Sequence, residues 1–319
     1  MTSTAQVHQI HQVHQIHHRT TIVRGHEVFY REAGPADAPV LLLLHGFPTS
    51  SHMFRDLIPR LADRFRLIAP DHLGFGRSAA PSAEDFDYTF AELAAVTAEF
   101  TEALGLERFA LYIQDYGAPI GLRLALAHPE RVTAIVTQNG NAYEEGLGTD
   151  AWAPVLAMIA DRNPETEKPV RGIRSLDGIM WQYETGVPPE FRDLLSPDAW
   201  HHDATLMARD GQDAIQLDLI GDYGSNFALY PAFHEYFRTT QVPLLAVWGE
   251  GDEVFVPAGA EAFRRDLPAA EVHLLPTGHF ALETHAPAIA SLIGDFLARR
   301  LPVRLWPSPD HGPFAPPSR

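Results

Sequence analysis

Three polar segments of the chain carry residue types that can cooperate in a hydrolytic reaction. Asp115 lies in the turn 113–117, Asp252 follows a later apolar run, and His279 follows the last such run. An aspartate in a tight turn can act as a nucleophile, a second carboxylate can orient a histidine, and the histidine can take a proton from water. Because each segment follows a predicted strand, we expect the three side chains to meet at one edge of a sheet.

An aspartate nucleophile narrows the reaction that these residues could perform. A carboxylate that attacks an ester carbonyl would form a mixed anhydride, whereas attack on an sp³ carbon that bears a leaving group forms an alkyl ester. Water can then cleave this ester, which divides one difficult displacement into two easier steps. An aspartate in a turn is by itself more often a cap or turn residue. The combination of Asp115 with Asp252 and His279 is what indicates catalysis.

The elements that must position these residues alternate along the chain. Apolar runs of the kind found in strands buried on both faces occur at 40–45, 66–70, 109–114, 132–137, 242–248 and 272–275. Helical periodicity fills most of the gaps, for example at 90–104, 118–128 and 286–300. This alternation predicts an α/β fold with a mostly parallel central sheet flanked by helices.

The alternation stops near residue 146 and resumes near residue 241. The stretch between them is rich in aromatic residues and lacks clear strands, which predicts a helical cap over the carboxyl ends of the strands. We therefore expect a core of residues 20–145 and 241–301, a cap of residues 146–240, and tails at 1–19 and 302–319. The first tail repeats histidine every three residues, a pattern that binds metal at most adventitiously, and the second is rich in proline.

Composition limits the class of partner. The 319 residues include 24 Lys and Arg against 41 Asp and Glu, and the net charge of −17 argues against nucleic acids and anionic membranes. The absence of cysteine excludes disulfides, thiolate metal sites and cysteine nucleophiles. No apolar run approaches the roughly 20 residues that span a bilayer, and no signal peptide pattern is visible. The sequence therefore predicts a soluble, cytoplasmic protein with no cofactor; its oligomeric state is open, a homodimer being one option.

Six motifs together resemble the α/β-hydrolase superfamily, and within it the aspartate-nucleophile branch of epoxide hydrolases and haloalkane dehalogenases. They are HGFP at 45–48, DHLGFGRS at 71–78, QDYG at 114–117, HPERV at 128–132, WGEGD at 248–252 and TGHF at 277–280. The resemblance covers roughly residues 20 to 301. It implies the α/β-hydrolase fold with a helical cap insertion, and the chain order nucleophile, acid, histidine.

The resemblance also assigns supporting roles. The backbone amides of Phe47 and Tyr116 would form the oxyanion hole. Glu144 and Glu145 follow a core strand and could also supply the acid, but Asp252 occupies the position that matches the family.

Stabilisation of the leaving group separates the two activities. Epoxide hydrolases protonate the epoxide oxygen from cap tyrosines, and the segment DYGSN at 222–226 resembles one that carries such a tyrosine, which makes Tyr223 the first candidate. Tyr183 is a second candidate, and His234 and Tyr236 are ranked after it. Each of them could instead be an aromatic side chain that packs inside the cap.

Haloalkane dehalogenases usually place tryptophan directly after the nucleophile, and often tryptophan or asparagine after the His-Gly pair. Here these positions hold Tyr116 and Phe47, which weakens that assignment. Fluoroacetate dehalogenases place arginines beside the nucleophile, whereas Arg123 lies further along the helix. We therefore predict a hydrolase of small hydrophobic substrates, with epoxide hydrolase first and haloalkane dehalogenase second. A ligand receptor on the same fold and a metal enzyme based on the histidine tail are two further hypotheses.

Overall fold

The computed structural model describes residues 15–300, and an eight-stranded sheet runs through the centre of that part of the chain. The strands are β1 (His17–Val23), β2 (His26–Ala33), β3 (Val40–Leu44), β4 (Arg66–Pro70), β5 (Phe109–Gln114), β6 (Val132–Gln138), β7 (Leu244–Gly249) and β8 (Glu271–Leu275). Their order across the sheet is β1-β2-β4-β3-β5-β6-β7-β8. The strands from β4 to β8 pair in parallel, while β1 with β2, and β2 with β4, pair antiparallel. The predicted α/β-hydrolase fold with a mostly parallel sheet is confirmed.

Eleven α-helices within residues 15–300 flank this sheet or cover its edge. They are α1 (Ile58–Leu61), α2 (Phe90–Ala103), α3 (Gly117–Ala127), α4 (Thr149–Ala160), α5 (Pro164–Ile173), α6 (Leu176–Glu184), α7 (Pro197–Met207), α8 (Gln212–Asp222), α9 (Gly224–Thr240), α10 (Pro257–Asp266) and α11 (Ala281–Arg300). Helices α4 to α9 lie in the chain between β6 and β7, in the stretch predicted to form the cap.

Local sequence explains why the core elements begin and end where they do. Thr89 caps α2 by accepting a hydrogen bond from the Glu92 backbone N–H, and Gly105, with φ of 64°, lies just beyond its end. Strand β3 reads VLLLL, and its four leucines are fully buried because helices cover both faces of a parallel sheet. The carboxyl ends of β3, β5, β6, β7 and β8 therefore open toward the loops that carry the chemistry.

Two features differ from the prediction. The hairpin of β1 and β2 was not predicted, because β1 reads HHRTTIV and is exposed on most of its length, so that it lacks an apolar pattern. It also begins at His17, inside the segment assigned to the N-terminal tail; the histidines at 8, 11 and 14 lie outside the described residues. Helix α11 begins at Ala281 instead of 286, with a non-helical His285 just before Pro287. Pro287 made the sequence pattern resemble the start of a helix, whereas the structure has a kink within α11 at this point.

The remaining predicted elements lie close to their observed positions. Strands β4 and β5 have the predicted bounds, and the other four predicted strands and helices α2 and α3 differ by at most two residues at an end. None of the helices described in the structure is both long and apolar enough to cross a membrane. The C-terminal tail predicted at 302–319 lies outside the described residues.

Candidate active site

Asp115 lies in a sharp turn between β5 and α3. Its backbone adopts φ of 46°, a left-handed conformation that non-glycine residues rarely take and that the surrounding structure must impose. Side chains do not fit at Gly46, in the loop after β3, or at Gly117, two residues after Asp115, because a Cβ at Gly46 would overlap Asp115 and a Cβ at Gly117 would overlap the carbonyl of Leu44. These two glycines thus leave room for the buried Asp115 carboxylate at the end of β5.

Two backbone amides face the Asp115 carboxylate. The Phe47 N–H donates to Asp115 Oδ1 at 2.7 Å. Burial raises the pKa of Asp115, and the charge of His279 and hydrogen bonds from the amides of Phe47 and Tyr116 oppose that effect. The two amides predicted for the oxyanion hole are therefore the two that hydrogen bond to this carboxylate.

His279 and Asp252 form a buried hydrogen-bonded pair. His279 Nδ1 lies 2.8 Å from Asp252 Oδ2, and the other carboxylate oxygen, Oδ1, accepts from the backbone N–H groups of Val254 at 2.7 Å and Phe255 at 3.1 Å. Because both oxygens are occupied by donors, the orientation of the carboxylate is fixed. Asp252 therefore holds the position of the orienting acid.

The two glutamates that could have supplied the acid lie elsewhere. Glu144 and Glu145 are both exposed in the short 3₁₀ helix Glu144–Gly146. Glu145 pairs with Arg265 at 2.6 Å on the surface, and burial is low at that site. This leaves Asp252 as the carboxylate that contacts His279 Nδ1.

The far side of His279 faces Asp115. His279 Nε2 lies 3.9 Å from Asp115 Oδ2. Burial lowers the pKa of His279, but the charge and hydrogen bond of Asp252, together with the charge of Asp115, raise it above its usual value. The three residues predicted from separate segments of the sequence thus form one buried cluster.

Sequence reasoning missed three polar side chains that complete this cluster. Asn139, with φ of 49°, follows β6 and donates from Nδ2 to Asp252 Oδ2 at 2.6 Å. Gln138 donates from Nε2 to the carbonyl of His279 at 2.9 Å. Gln114 places its Nε2 at 3.0 Å from His279 Nε2. The polar segment QNGN at 138–141, at the end of an apolar run, was the signal that could have revealed the first two.

A cavity of about 320 Å³ opens above Asp115, between the core and the cap. Its walls are mainly apolar, and they come from α4, α5, α6 and α8 together with the loop after β3. The lining includes Phe47, Tyr116, Trp152, Ile173, Trp181 and Tyr223. Asp115 and Asp150 are the charged residues in its wall, and no cationic residue described in the structure lines it. Such a cavity suits a small hydrophobic molecule.

Of the cap residues predicted to donate a proton to the leaving group, one lines the cavity and the others do not. Tyr223, between α8 and α9, lines the cavity with its ring centroid 6.1 Å from that of Tyr116. Burial raises the pKa of Tyr223 well above its usual value, so its phenol remains protonated. Tyr236 is buried on α9 and is not among the residues that line the cavity.

The structure does not place Tyr183 and His234 in the cavity, contrary to expectation. The Tyr183 hydroxyl donates to Asp203 Oδ2 at 2.6 Å, and its ring stacks on Phe280 with centroids 4.2 Å apart. His234 Nε2 lies 2.9 Å from the carbonyl of Ala142 and its ring packs parallel to that of Tyr143. Tyr183 is buried and His234 is half-buried, and each hydrogen bonds to a partner outside the cavity lining, which depends on tertiary contacts.

Two further hypotheses from the sequence involve positive charge: Arg123 near the nucleophile, and a metal ion. Arg123 hydrogen bonds to the cap residues Asn226 and Ser225, at 2.5 and 2.9 Å, and is not among the cavity residues. No group of three or more potential metal ligands occurs among residues 15–300.

Comparison with known proteins places this chain in a family. Residues 39–286 match the family model for the alpha/beta hydrolase fold, and the chain belongs to this family of hydrolases. It is 45% identical over 286 residues to an uncharacterized hydrolase of Saccharomyces cerevisiae, covering 86% of this chain and 95% of that one. It is 28% identical over 310 residues to a haloalkane dehalogenase of Bradyrhizobium diazoefficiens, covering 88% of this chain and 94% of that one. Among solved structures, the haloalkane dehalogenase DbeA from Bradyrhizobium elkani superimposes with a TM-score of 0.71 at 25% identity, covering 89% of this chain and 100% of that one.

Proposed function

We propose that this protein is an epoxide hydrolase that works through an alkyl ester on Asp115. The observation that carries this proposal is that Tyr223 and Asp115 line the same apolar cavity. An epoxide needs a nucleophile for its carbon and a proton donor for its oxygen, and these two side chains supply both.

In the first half-reaction, an oxygen of Asp115 attacks an epoxide carbon and the ring C–O bond breaks. The released alkoxide takes the proton of Tyr223, whose raised pKa keeps it protonated until a strong base appears. The product is a hydroxyalkyl ester of Asp115. The cavity contains no cation among the described residues, which favours neutral epoxides over anionic substrates.

In the second half-reaction, water attacks the ester carbonyl while His279 Nε2 takes a proton from it. The amides of Phe47 and Tyr116 stabilise the oxyanion of the tetrahedral intermediate. Expulsion of the diol alkoxide breaks the ester bond, and the alkoxide takes the proton from His279. The regenerated carboxyl group of Asp115 then ionises, and its proton restores Tyr223.

Haloalkane dehalogenation is the second candidate, favoured by the likeness to the Bradyrhizobium enzyme. A leaving halide needs N–H donors around it. The side chain of Phe47 offers none, and Trp152, which lines the cavity, donates its indole N–H to the carbonyl of Val254 at 2.9 Å. Tyr116 would have to bind the halide through its phenol.

Intact-protein mass of the His279→Gln variant distinguishes these reactions, because the variant should form the ester but not hydrolyse it. Incubation with styrene oxide should add the mass of the whole epoxide, whereas 1-bromobutane should add nothing. A butyl adduct alone would instead establish dehalogenation. Absence of both adducts, or an adduct that persists when Asp115→Ala is combined with His279→Gln, would contradict the covalent mechanism.

A further inference from the structure

Gln114, the last residue of β5, carries a fully buried amide that contacts the histidine of the candidate active site. Its Nε2 lies 3.0 Å from His279 Nε2, the ring nitrogen that faces Asp115. Its oxygen Oε1 is buried and has no hydrogen-bond partner among residues 15–300. Because buried polar atoms in folded proteins are nearly always paired, an amide with one end on the general base and the other end unpaired calls for an explanation.

The first contact defines the protonation state of the resting site. Asp252 accepts a hydrogen bond from His279 Nδ1, so the ring proton of neutral His279 lies on Nδ1. His279 Nε2 is then an acceptor, and the amino group of Gln114 donates to it. During ester hydrolysis Nε2 gains a proton and becomes a donor. The amino group of Gln114 cannot pair with that imidazolium, since two donors would face each other.

The unpaired oxygen of Gln114 is the partner that the imidazolium lacks. A half-turn of the amide about its last side-chain bond exchanges Nε2 and Oε1 and brings an acceptor to His279. Gly46 leaves space for this exchange, because a Cβ there would lie 2.6 Å from Gln114 Oε1. We propose that Gln114 is a positioning residue that pairs with His279 Nε2 in both protonation states, through its amino group when the ring is neutral and through its carbonyl oxygen when the ring is protonated.

This inference rests on the hydrolysis step of the proposed function. In that step the attacking water replaces the Gln114 amino group at the single lone pair of His279 Nε2, and its proton moves to that nitrogen. The water oxygen bonds to the ester carbon, and the departing alkoxide takes the proton back as the ester C–O bond breaks. Gln114 gains and loses no proton, and only exchanges one hydrogen bond for another. His279 stays neutral while the ester forms, so Gln114 should matter for hydrolysis and much less for alkylation.

Rapid-quench kinetics with styrene oxide, followed by intact mass, separates the two steps in Gln114→Leu. We expect ester formation close to the wild-type rate and ester hydrolysis slowed about 10- to 100-fold, so that the ester accumulates. Gln216→Leu is the matched control. Gln216 is equally buried and also has an unpaired Oε1, but its Nε2 donates to Gln212 in the cap, and it does not line the cavity. Its replacement should leave the ratio of the two rate constants unchanged.

Gln114→Glu tests the same contact without substrate. A carboxylate at this position can only accept, so it favours the imidazolium and should raise the pKa of His279 by about one unit or more. NMR titration of the His279 ring measures this shift directly. Since the general base must be neutral, the acidic limb of the pH profile for the rate of ester hydrolysis should move to higher pH by the same amount.

The outcomes are distinguishable. If His279→Gln traps the ester but Gln114→Leu hydrolyses it at the wild-type rate, or slows both steps equally, the inference about Gln114 is wrong and the proposed function stands. An unchanged pKa of His279 in Gln114→Glu also overturns the inference. This test remains available if thermal unfolding measurements show that Gln114→Leu does not fold. If no ester is trapped at all, the proposed function fails, and with it the role assigned to Gln114 in hydrolysis.

Discussion

Asn139 Nδ2 lies 2.6 Å from Asp252 Oδ2, the same oxygen that accepts the hydrogen bond of His279 Nδ1 at 2.8 Å. One carboxylate oxygen therefore holds the imidazole while an amide from the neighbouring strand holds the carboxylate. Hydrogen bonds to a charged group are stronger than neutral ones, and buried partners of a catalytic histidine fix its orientation. Asn139 thus connects the end of β6, through Asp252, to the histidine that we propose as the general base.

Replacing Asn139 by glycine should preserve the backbone, because glycine adopts φ of 49° without steric strain. It should remove this hydrogen bond and the two that Asn139 Oδ1 accepts, from Gln138 Nε2 and from the backbone N–H of Gly249. We expect the free energy of unfolding to fall by about 1.5–3 kcal/mol, measured by urea denaturation. Asn139→Asp is the companion variant: it retains the shape but sets a second carboxyl beside Asp252, and should slow ester hydrolysis. Wild-type hydrolysis in Asn139→Asp would show that this contact has no part in catalysis.

Tyr223→Phe should slow the opening of styrene oxide by about 10²- to 10⁴-fold, because the alkoxide would lose its proton donor. The rate of ester formation, measured by stopped flow in the His279→Gln background, reports this step alone. Tyr183→Phe is the control, since the Tyr183 hydroxyl donates to Asp203 and lies outside the cavity lining. Equal slowing by both variants would indicate a general effect on the cap.

The pH dependence should differ between the resting enzyme and the ester. The pKa of His279 is raised by Asp252 and Asp115 against the lowering by burial. In the proposed mechanism, ester formation removes the negative charge from Asp115, whose Oδ2 lies 3.9 Å from His279 Nε2, and leaves it on Tyr223. The pKa of His279 should therefore be lower in the ester than in the free enzyme. Because the base must be neutral, hydrolysis is lost as the pH falls through the lower value. Comparison of an NMR titration of the resting protein with the pH profile of hydrolysis measures the difference; coincident values would contradict it.

Asp203 should make the protein less stable as the pH rises. Burial, together with the charge of Glu283, raises its pKa from 3.8 to about 8, against the opposing effects of Tyr183, Thr49 and Arg55. Between these two pKa values Asp203 is protonated in the folded protein and ionised in the unfolded chain. Its stabilising contribution to the free energy of unfolding is therefore complete below pH 3.8 and is lost as the pH rises to about 8.

The variant that tests this behaviour is Asp203→Asn, which mimics the protonated carboxyl. Its stability relative to wild type should increase by up to about 1.4 kcal/mol per pH unit between pH ~5 and ~8, measured by urea denaturation. Asp213→Asn is the control, because the half-buried Asp213 pairs with Arg171 and Arg174, which lower its pKa. If the difference in stability between Asp203→Asn and wild type did not change with pH, this carboxyl would be ionised in the folded protein.

Deletion of residues 1–14 should leave epoxide hydrolysis within about 2-fold of the full chain, with and without a chelator, because the proposed mechanism uses no metal. The deletion ends before β1, so that the hairpin formed from His17 onward is retained. The rate of diol formation with and without EDTA checks this. Loss of activity on chelation, restored by zinc, would support the hypothesis of a metal enzyme.

Much of the architecture was predictable because local chemistry dictates it. Buried runs such as VLLLL in β3 specify strands of a parallel sheet, and the QDYG turn at 114–117 specifies the position of Asp115 after β5. The β1–β2 hairpin was not predictable in this way, since an exposed edge strand carries little apolar pattern. The kink at His285 was hidden because a proline can either begin a helix or interrupt one.

The sequence by itself determined the order and type of the chemical groups: a carboxylate in a strand-to-helix turn, a second carboxylate, and a histidine, each following a strand. Those positions follow from hydrophobic patterning and turn chemistry, which act over a few residues. Only the tertiary structure decided the partners of the buried polar groups. It brought Asn139 to Asp252, Gln114 to His279 and Tyr183 to Asp203, and it left Tyr223 in the cavity. A hydrogen bond between distant segments depends on how the elements pack, which no local pattern encodes.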